Sequence, residues 1–292
     1  MNLSVIIACY NGADFISNQL DALANQRYAG SWEVIISDNG STDNSLEIVN
    51  HFKNRIPQLH IVDSSDKQSR AHARNIGVGI STGENILFLD QDDEVGPGWM
   101  ETMSNALSEH DFVACRFDIQ KLNDPWAQKS RFSPQSVRLP VFRYPAFLPH
   151  AAGCTLGVKR SIFDAIGGLD ESFVSLDDTD FCFRAQLHGA QLFFVKDATL
   201  HYRYRTKLKD IFIQAVEYAQ ENTKLYIKYR PFGMPKLTRR EIIDDWTIFL
   251  KKIFTVRIFT IRNKARFADF LWQFGWRVGR IIGSFKYKVF AI

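Results

Sequence analysis

Apolar residues arrive along this chain in short runs, and each run is followed by a stretch whose apolar positions recur every three or four residues. Leu3 to Cys9 precedes Phe15, Leu20 and Leu23; Trp32 to Ser37 precedes Leu46, Ile48, Val49 and Phe52; Leu59 to Val62 precedes Ala71 to Ile80; and Ile86 to Leu89 precedes Trp99 to Leu107. Units of strand then helix, roughly 30 residues long, predict an α/β fold with a parallel sheet covered by helices. In open sheets of this kind ligands gather beyond the carboxyl ends of the strands. The polar residues with the most chemistry fall there: Tyr10 and Asn11, Asp38, Asp63, and then Asp90, Gln91 and Asp92.

The pattern weakens after a further strand-like run at Phe112 to Phe117. Lys121 to Pro149 is rich in Pro, Ser and Arg without a clear period, and predicts long loops at the sheet edge. Regularity returns with strand-like Cys154 to Val158, helix-like Ser161 to Ile166, an acidic cluster at Asp177 to Asp180, and strand-like Leu192 to Val195. Nearer the C-terminus, Ile248, Phe249, Ile253 and Val256, and then Phe267, Phe270, Leu271 and Phe274, fall at helical spacing.

A chain of 292 residues is long enough for one large core and an appendage. Its net charge of +4 conceals a split: from Lys207 onward there are 18 Lys and Arg against 7 Asp and Glu, leaving 18 basic and 25 acidic residues before it. Such asymmetry points to two jobs in one chain. Cys9, Cys115, Cys154 and Cys182 lack CxxC or Cys/His spacing, and read as reduced, packed thiols of a cytoplasmic protein. The N-terminal apolar run is too short for a signal peptide, and no window has the roughly 18 apolar residues of a membrane-spanning helix.

Phe88-Leu-Asp-Gln-Asp-Asp93 crowds three carboxylates at a strand end, an arrangement that calls for a cation or a raised pKa. A helix-loop-helix calcium loop would use Asp90, Asp92, Glu94 and Glu101, but Val95 stands where the loop needs Gly. An aspartyl-phosphate hydrolase would use Asp90 as nucleophile, although Glu94 stands where that pattern has Thr or Val. A divalent metal gripping a nucleotide diphosphate is a third use, and a solvated acidic turn a fourth.

Taken in order, Ser4-Val-Ile-Ile-Ala-Cys-Tyr-Asn11, Ser37-Asp-Asn-Gly-Ser-Thr-Asp43, Ala73-Arg-Asn-Ile-Gly77, FLDQDD, Gly168-Leu-Asp-Glu171 and Asp177-Asp-Thr-Asp-Phe-Cys-Phe-Arg184 resemble the family 2 glycosyltransferases from about Leu3 to Tyr202. The resemblance implies a GT-A fold: a Rossmann-like, mostly parallel central sheet with flanking helices, here with a C-terminal helical extension. It implies a catalytic domain over 1–205, with its nucleotide-sugar part in about 1–110 and its acceptor part in 111–205, followed by a basic extension over 206–292. It also implies inverting, metal-dependent transfer from a nucleoside diphosphate sugar, with UDP the habitual donor, to a hydroxyl of a glycan or lipid-linked acceptor in cell-surface polysaccharide synthesis. The rival classes are a phosphohydrolase acting through Asp90 and a binding protein without catalysis.

Residue by residue, the resemblance implies that Asp38 accepts a hydrogen bond from the base, with Ala8, Tyr10 and Asn11 lining the same pocket. Arg74 meets the nucleotide's polar edge or phosphates, Asp90 approaches the ribose beside Gln91, and Asp92 binds Mg²⁺ or Mn²⁺ with Asp90 and His201. Asp178 is the implied base toward the acceptor hydroxyl and Asp177 orients that acceptor, while Asp180 and Arg184 form a helical i,i+4 pair. The chain departs from the family in having Ala8-Cys9 for Pro-Thr and Asp177 for Glu.

Two further likenesses carry nothing: Gly77, Gly79 and Gly83 lack dinucleotide-loop spacing, and Gln273 to Arg277 inverts the processive QxxRW motif. From Trp246 onward, 10 Lys and Arg with a single acid, Asp269, interleave with 12 aromatic residues. That composition predicts amphipathic helices on an anionic membrane surface, the inner face of the plasma membrane for a cytoplasmic enzyme, with a helical cap packed on the catalytic domain and a solvated basic face as the alternative, and no nucleic-acid partner.

Overall fold

The computed structural model describes residues 2–131, 133–143, 145–256 and 263–290. Four strands, β1 (Leu3–Cys9), β2 (Trp32–Asp38), β3 (Leu59–Asp63) and β4 (Asn85–Asp90), alternate with helices α1 (Ile16–Ala24), α2 (Ser45–His51) and α3 (Arg70–Ile80). The strands run parallel in the order β3-β2-β1-β4. They are apolar on both faces because both faces are covered. Val5, Ile7, Val34 and Ile36 pack toward α1 and α2, whereas Ile6 and Ile35 meet Ala71 and Val78 of α3 on the other side. Gly77 lies so close to the sheet that a Cβ there would sit 2.6 Å from the Ile6 side chain.

The chain then adds β5 (Glu94–Val95), α4 (Trp99–Glu109), β6 (Phe112–Asp118), α5 (Pro125–Gln128), β7 (Val141–Arg143), β8 (Ala146–Pro149), β9 (Leu156–Lys159), α6 (Arg160–Ala165), α7 (Asp177–Leu187) and β10 (Leu192–His201). Among the described residues the main sheet has eight strands, ordered β3-β2-β1-β4-β9-β6-β10-β5. It is mostly parallel, as expected; β9 runs antiparallel to both its neighbours and β5 antiparallel to β10. The expected loop region 121–149 instead contains α5 and the β7-β8 pair, which forms a separate two-stranded sheet. Elements of three or four residues are too short to leave a period in sequence. A strand, not a helix, precedes Asp90, so the calcium-loop alternative has no structural basis.

By contacts the chain forms two compact units. One comprises 1–122, 134–140 and 149–203 and holds the main sheet; the other comprises 123–133, 141–148 and 204–292, so two mid-chain segments join the C-terminal helices. That second unit contains α8 (Leu208–Tyr229), α9 (Arg239–Val256) and α10 (Lys264–Lys286). Val256 ends the expected apolar stripe of α9, and its side chain lies outside the described residues. Among the described residues no helix is long and apolar enough to cross a membrane.

Helices α8 and α10 are held together by a seam of small residues. A Cβ on Gly275 would lie 2.8 Å from the Phe212 carbonyl oxygen, one on Gly279 would strike the Val216 carbonyl oxygen, and one on Gly283 would lie 2.7 Å from Thr223 Oγ1. The contacts advance in the same direction along both helices, which makes the pair parallel. Gly279→Ala therefore sets a helix-propensity gain of about 1 kcal/mol against backbone overlap costing about 1–3 kcal/mol. Denaturation monitored by circular dichroism should show net destabilisation of the helical unit.

Candidate active site

Strand register places the acidic residues side by side. Asp63 pairs with Asp38, Asp38 with Cys9, and Ala8 with Asp90, so the carboxyl ends of β3, β2, β1 and β4 present one continuous rim. The loops leaving that rim are fastened to each other. The Asn11 amide donates to Ser41 Oγ (3.0 Å), the Thr42 amide to Asn11 Oδ1 (2.8 Å), the Gly12 amide to Ser45 Oγ (2.7 Å) and the Ala13 amide to Asp43 Oδ2 (3.0 Å). Asn11 holds φ 48°, a left-handed conformation that asparagine tolerates better than most residues. Asp38 is buried and accepts the Ser41 amide at 3.2 Å.

Gln91 forms a two-point clamp with the backbone of Tyr10: its Oε1 accepts the Tyr10 amide (2.8 Å) and its Nε2 donates to the Tyr10 carbonyl (2.9 Å). This holds the half-exposed Tyr10 ring beyond the end of β1.

Arg74, on α3, is the pivot of the site. Its side chain is 3% exposed, and its guanidinium meets Asp90 Oδ1 at 2.6 Å and Asp177 Oδ2 at 3.4 Å. Burial disfavours the charge, but Asp90 and Asp177 outweigh it and push the arginine's pKa up. The guanidinium packs against Gly153, where a Cβ would lie 2.9 Å from Cζ. The Gly153 amide in turn donates to Asp178 Oδ2 (2.8 Å). Asp90, Arg74, Asp177, Gly153 and Asp178 thus form one contiguous network.

Asp177, Asp178 and Asp180 occupy the first turn of α7, where the helix dipole favours negative charge. Asp178 Oδ1 accepts the Thr179 amide (2.7 Å), and Asp180 pairs with Arg184 (2.7 Å) in the expected i,i+4 arrangement. The residue before the turn, Leu176, sits at φ 61°, ψ 19°, a left-handed conformation costing an L-residue about 1–2 kcal/mol. Strain of this kind collects where surrounding structure dictates the backbone.

The turn after β4 is acidic and mostly buried. Burial first, then Asp90, raises the Asp92 pKa to about 6; burial, then Asp92 and Asp90, pushes Asp93 well above the carboxylate range. Asp93 Oδ1 accepts the Arg203 amide (2.9 Å), while Oδ2 is buried without a hydrogen-bond partner. The Arg203 Nε donates to the Asp92 carbonyl (2.9 Å), and its guanidinium lies over the Phe15 ring, 4.7 Å from the centroid.

Among the described residues, Asp90, Asp93 and Cys154 form a group whose ligand atoms lie within 4.8 Å of one another. Two hard carboxylates and an unmatched buried oxygen suit a divalent cation; the Cys154 thiol, its pKa raised well up by burial and by Asp93, is a weak ligand. His201, at the end of β10, is outside this group. Its Nδ1 pairs with Asp118 Oδ2 (2.6 Å), a carboxylate–histidine pairing of the type that orients a metal ligand.

Sequence motifs did not mark Gly153, Gln135, Asp118 or the role of Arg203. Gln135 is buried and bonds to Thr155 Oγ1 (2.7 Å), the Cys115 carbonyl (3.1 Å) and the Ala152 amide (3.1 Å), bracing the segment that carries Gly153. A lone glycine just before a strand was the one available signal, since it can mark close backbone approach.

The glycosyl transferase family 2 model matches residues 4–167. The amylovoran biosynthesis glycosyltransferase AmsB of Erwinia amylovora is 26% identical over 93% of this chain and 94% of AmsB. The uncharacterized glycosyltransferase YibD of Escherichia coli is 34% identical over 42% of this chain, a match spanning 34% of YibD. Among solved structures, the mannosyltransferase PcManGT of Pyrobaculum calidifontis with GDP-Man and Mn²⁺ superposes with a TM-score of 0.66 at 16% identity, covering 96% of this chain and 86% of that one. S. aureus TarS 1-349 with UDP-GlcNAc gives 0.55 at 18% identity, covering 99% and 93%. At these identities the two structures establish the shared fold.

A clasp beside the site has a definite pH response. His72 on α3 bonds Glu171 Oε2 (3.0 Å) and Asp66 Oδ1 (2.8 Å), and Asn75 Nδ2 bonds Glu171 Oε1 (3.0 Å), fixing the Gly168-Leu-Asp-Glu171 loop to α3. Burial opposes the charge on His72, but Asp66 and Glu171 raise its pKa above the ordinary 6.5. Burial likewise opposes ionised Glu171, but Lys67, Asn75 and His72 hold it down at about 2 instead of 4.5. The histidine's contribution is complete below 6.5 and fades as pH rises through its raised value; the glutamate's is complete above 4.5 and fades as pH falls toward about 2. Hydrogen exchange across residues 168–171 should accordingly be slowest, relative to intrinsic rates, between those limits, and His72→Gln should remove the alkaline loss.

Proposed function

The chain belongs to glycosyl transferase family 2, and we propose that this glycosyltransferase moves a sugar from a nucleoside diphosphate, UDP by preference, to a hydroxyl of a glycan or lipid-linked acceptor, with inversion. The product belongs to a cell-surface polysaccharide, and the enzyme works in the cytoplasm at the inner face of the plasma membrane. The observation that carries the reading is the Arg74 network. It links Asp90, on the rim where β-strand ends receive a nucleotide, to Asp177 and Asp178 on α7.

In this reading Asp38 accepts an N–H of the base, and the backbone at Ala8, Tyr10 and Asn11, clamped by Gln91 and the 41–45 loop, forms the pocket floor. Asp90 and Asp92 would hold Mg²⁺ or Mn²⁺ beside the unmatched Asp93 oxygen, with His201, which lies outside the Asp90–Asp93–Cys154 group, as the further ligand that the family pattern implies. When bound, the ion offsets charge on the departing diphosphate. Asp178 takes the acceptor proton as the hydroxyl attacks the anomeric carbon from one face, and a single displacement inverts that centre. Two amides, Gly153 to Oδ2 and Thr179 to Oδ1, fix the plane of the Asp178 carboxylate. Asp177, tied to Arg74, orients the acceptor. Support for UDP comes from TarS bound to UDP-GlcNAc, and support for a divalent ion from PcManGT bound to Mn²⁺.

The hydrolase alternative has less support, because Asp90 Oδ1 is engaged by a buried guanidinium at 2.6 Å, which blunts a nucleophile. Replacing Asp178 by Asn keeps the shape but removes the base, so transfer should fall by about 10²–10⁴-fold while nucleotide affinity, measured calorimetrically, is unchanged. Transfer at the original rate would contradict the assignment. A nucleotide-sugar panel read by thermal shift should favour the UDP donors.

A further inference from the structure

The helical unit carries an exposed apolar surface built of residues other than those of the candidate site. The Gly275, Gly279 and Gly283 seam of α10 faces α8. About a third of a turn away, Phe274, Ile282 and Phe285 are 42%, 42% and 78% exposed, with half-buried Val278 and Ile281 between them, forming one apolar stripe at helical period. The stripe's N-terminal end is partly packed, since Phe274 stacks on Phe212 of α8 and Phe249 of α9, whereas Ile282 and Phe285 stand exposed beyond the glycine seam. Lys286 and Lys288, both exposed, flank the stripe's C-terminal end. The exposed cations of α10 are Lys264, Arg266 and Lys286, while Arg277 and Arg280 are buried and paired within the unit. In the same unit α9 exposes Ile243, Ile248 and Leu250 while burying Phe249.

We propose that the α10 stripe docks on an anionic lipid surface, the helix lying in the interface plane with Ile282 and Phe285 among the acyl chains and Lys286 and Lys288 at the headgroups. The charge selects this occupant. Exposed lysines beside large apolar side chains complement anionic headgroups. A parallel two-fold contact with a second copy, stripe on stripe, would bring those lysines together. The proposal deepens the reading that places the enzyme at a membrane, and rests on it only for which membrane is meant.

The test is co-sedimentation of the full-length protein with vesicles of phosphatidylcholine alone or with about a third phosphatidylserine, a composition that creates a negative surface potential. The protein should pellet with the anionic vesicles and not the neutral ones. Ile282→Asp with Phe285→Asp should weaken that binding about tenfold or more, with unchanged circular dichroism and nucleotide affinity. Lys286→Glu with Lys288→Glu should abolish the preference for anionic lipid. Equal binding of wild type and apolar-stripe variants, or no pelleting at all, overturns the proposal. So does sedimentation velocity showing a lipid-free dimer that the same variants dissociate, since the stripe would then cover a second copy. Vesicle binding needs no turnover, so failure here leaves the transfer chemistry standing, and failure of the Asp178 variant leaves the surface standing.

Discussion

One buried cation organises this protein. A guanidinium removed from water is tolerable only when paired, and Arg74 has partners from two distant parts of the chain, Asp90 and Asp177. Each carboxylate needs the arginine as much as the arginine needs them, since burial raises the Asp177 pKa and the adjacent Asp178 adds to it. The ion pairs therefore dictate where α7 begins relative to the end of β4. Gly153 completes the arrangement by lacking a side chain: its backbone lies flat against the guanidinium and turns an N–H toward Asp178.

The arithmetic of charge around this pivot explains the acidic turn after β4. Arg74 faces Asp90, Asp177 and, one bond further, Asp178, while Asp92 and Asp93 add to the same region and Arg70 and Arg203 offset part of that charge. Protein groups alone leave an excess of negative charge, relieved in part by the raised pKa values of Asp92 and Asp93. A divalent cation would relieve it more completely. Arg203 and Asp118 act behind this layer, one gripping the turn through its backbone, the other orienting His201.

The first four strands were legible because their apolar runs are buried on both faces and separated by helical periods, and register then aligns Asp38, Asp63 and Asp90 without further information. β9 showed as the strand-like run Cys154 to Val158, but its antiparallel direction was not legible, and neither were the two-residue β5 and the β7-β8 pair. Direction and pairing depend on partners far along the chain, such as Leu87 with Gly157, and not on local pattern. The site divides in the same way. Asp38, Arg74, Asp90, Asp177 and Asp178 stood out because side-chain chemistry sits in ordered motifs, whereas Gly153 acts through a backbone amide and Gln135 through hydrogen bonds that only the fold brings together. Apolar residues at helical spacing announced α9 and α10, yet that spacing could not say that a glycine seam lets α10 approach α8 so closely.

A double-mutant cycle on sugar-transfer rate, with Arg74→Met, Asp177→Asn and the pair combined, tests the pivot most directly. If one ion-paired network serves both ends of the site, the double variant should be no slower than the worse single one, with a coupling energy of about 1–3 kcal/mol. Losses that simply multiply would show that the two residues act independently, and would contradict the account.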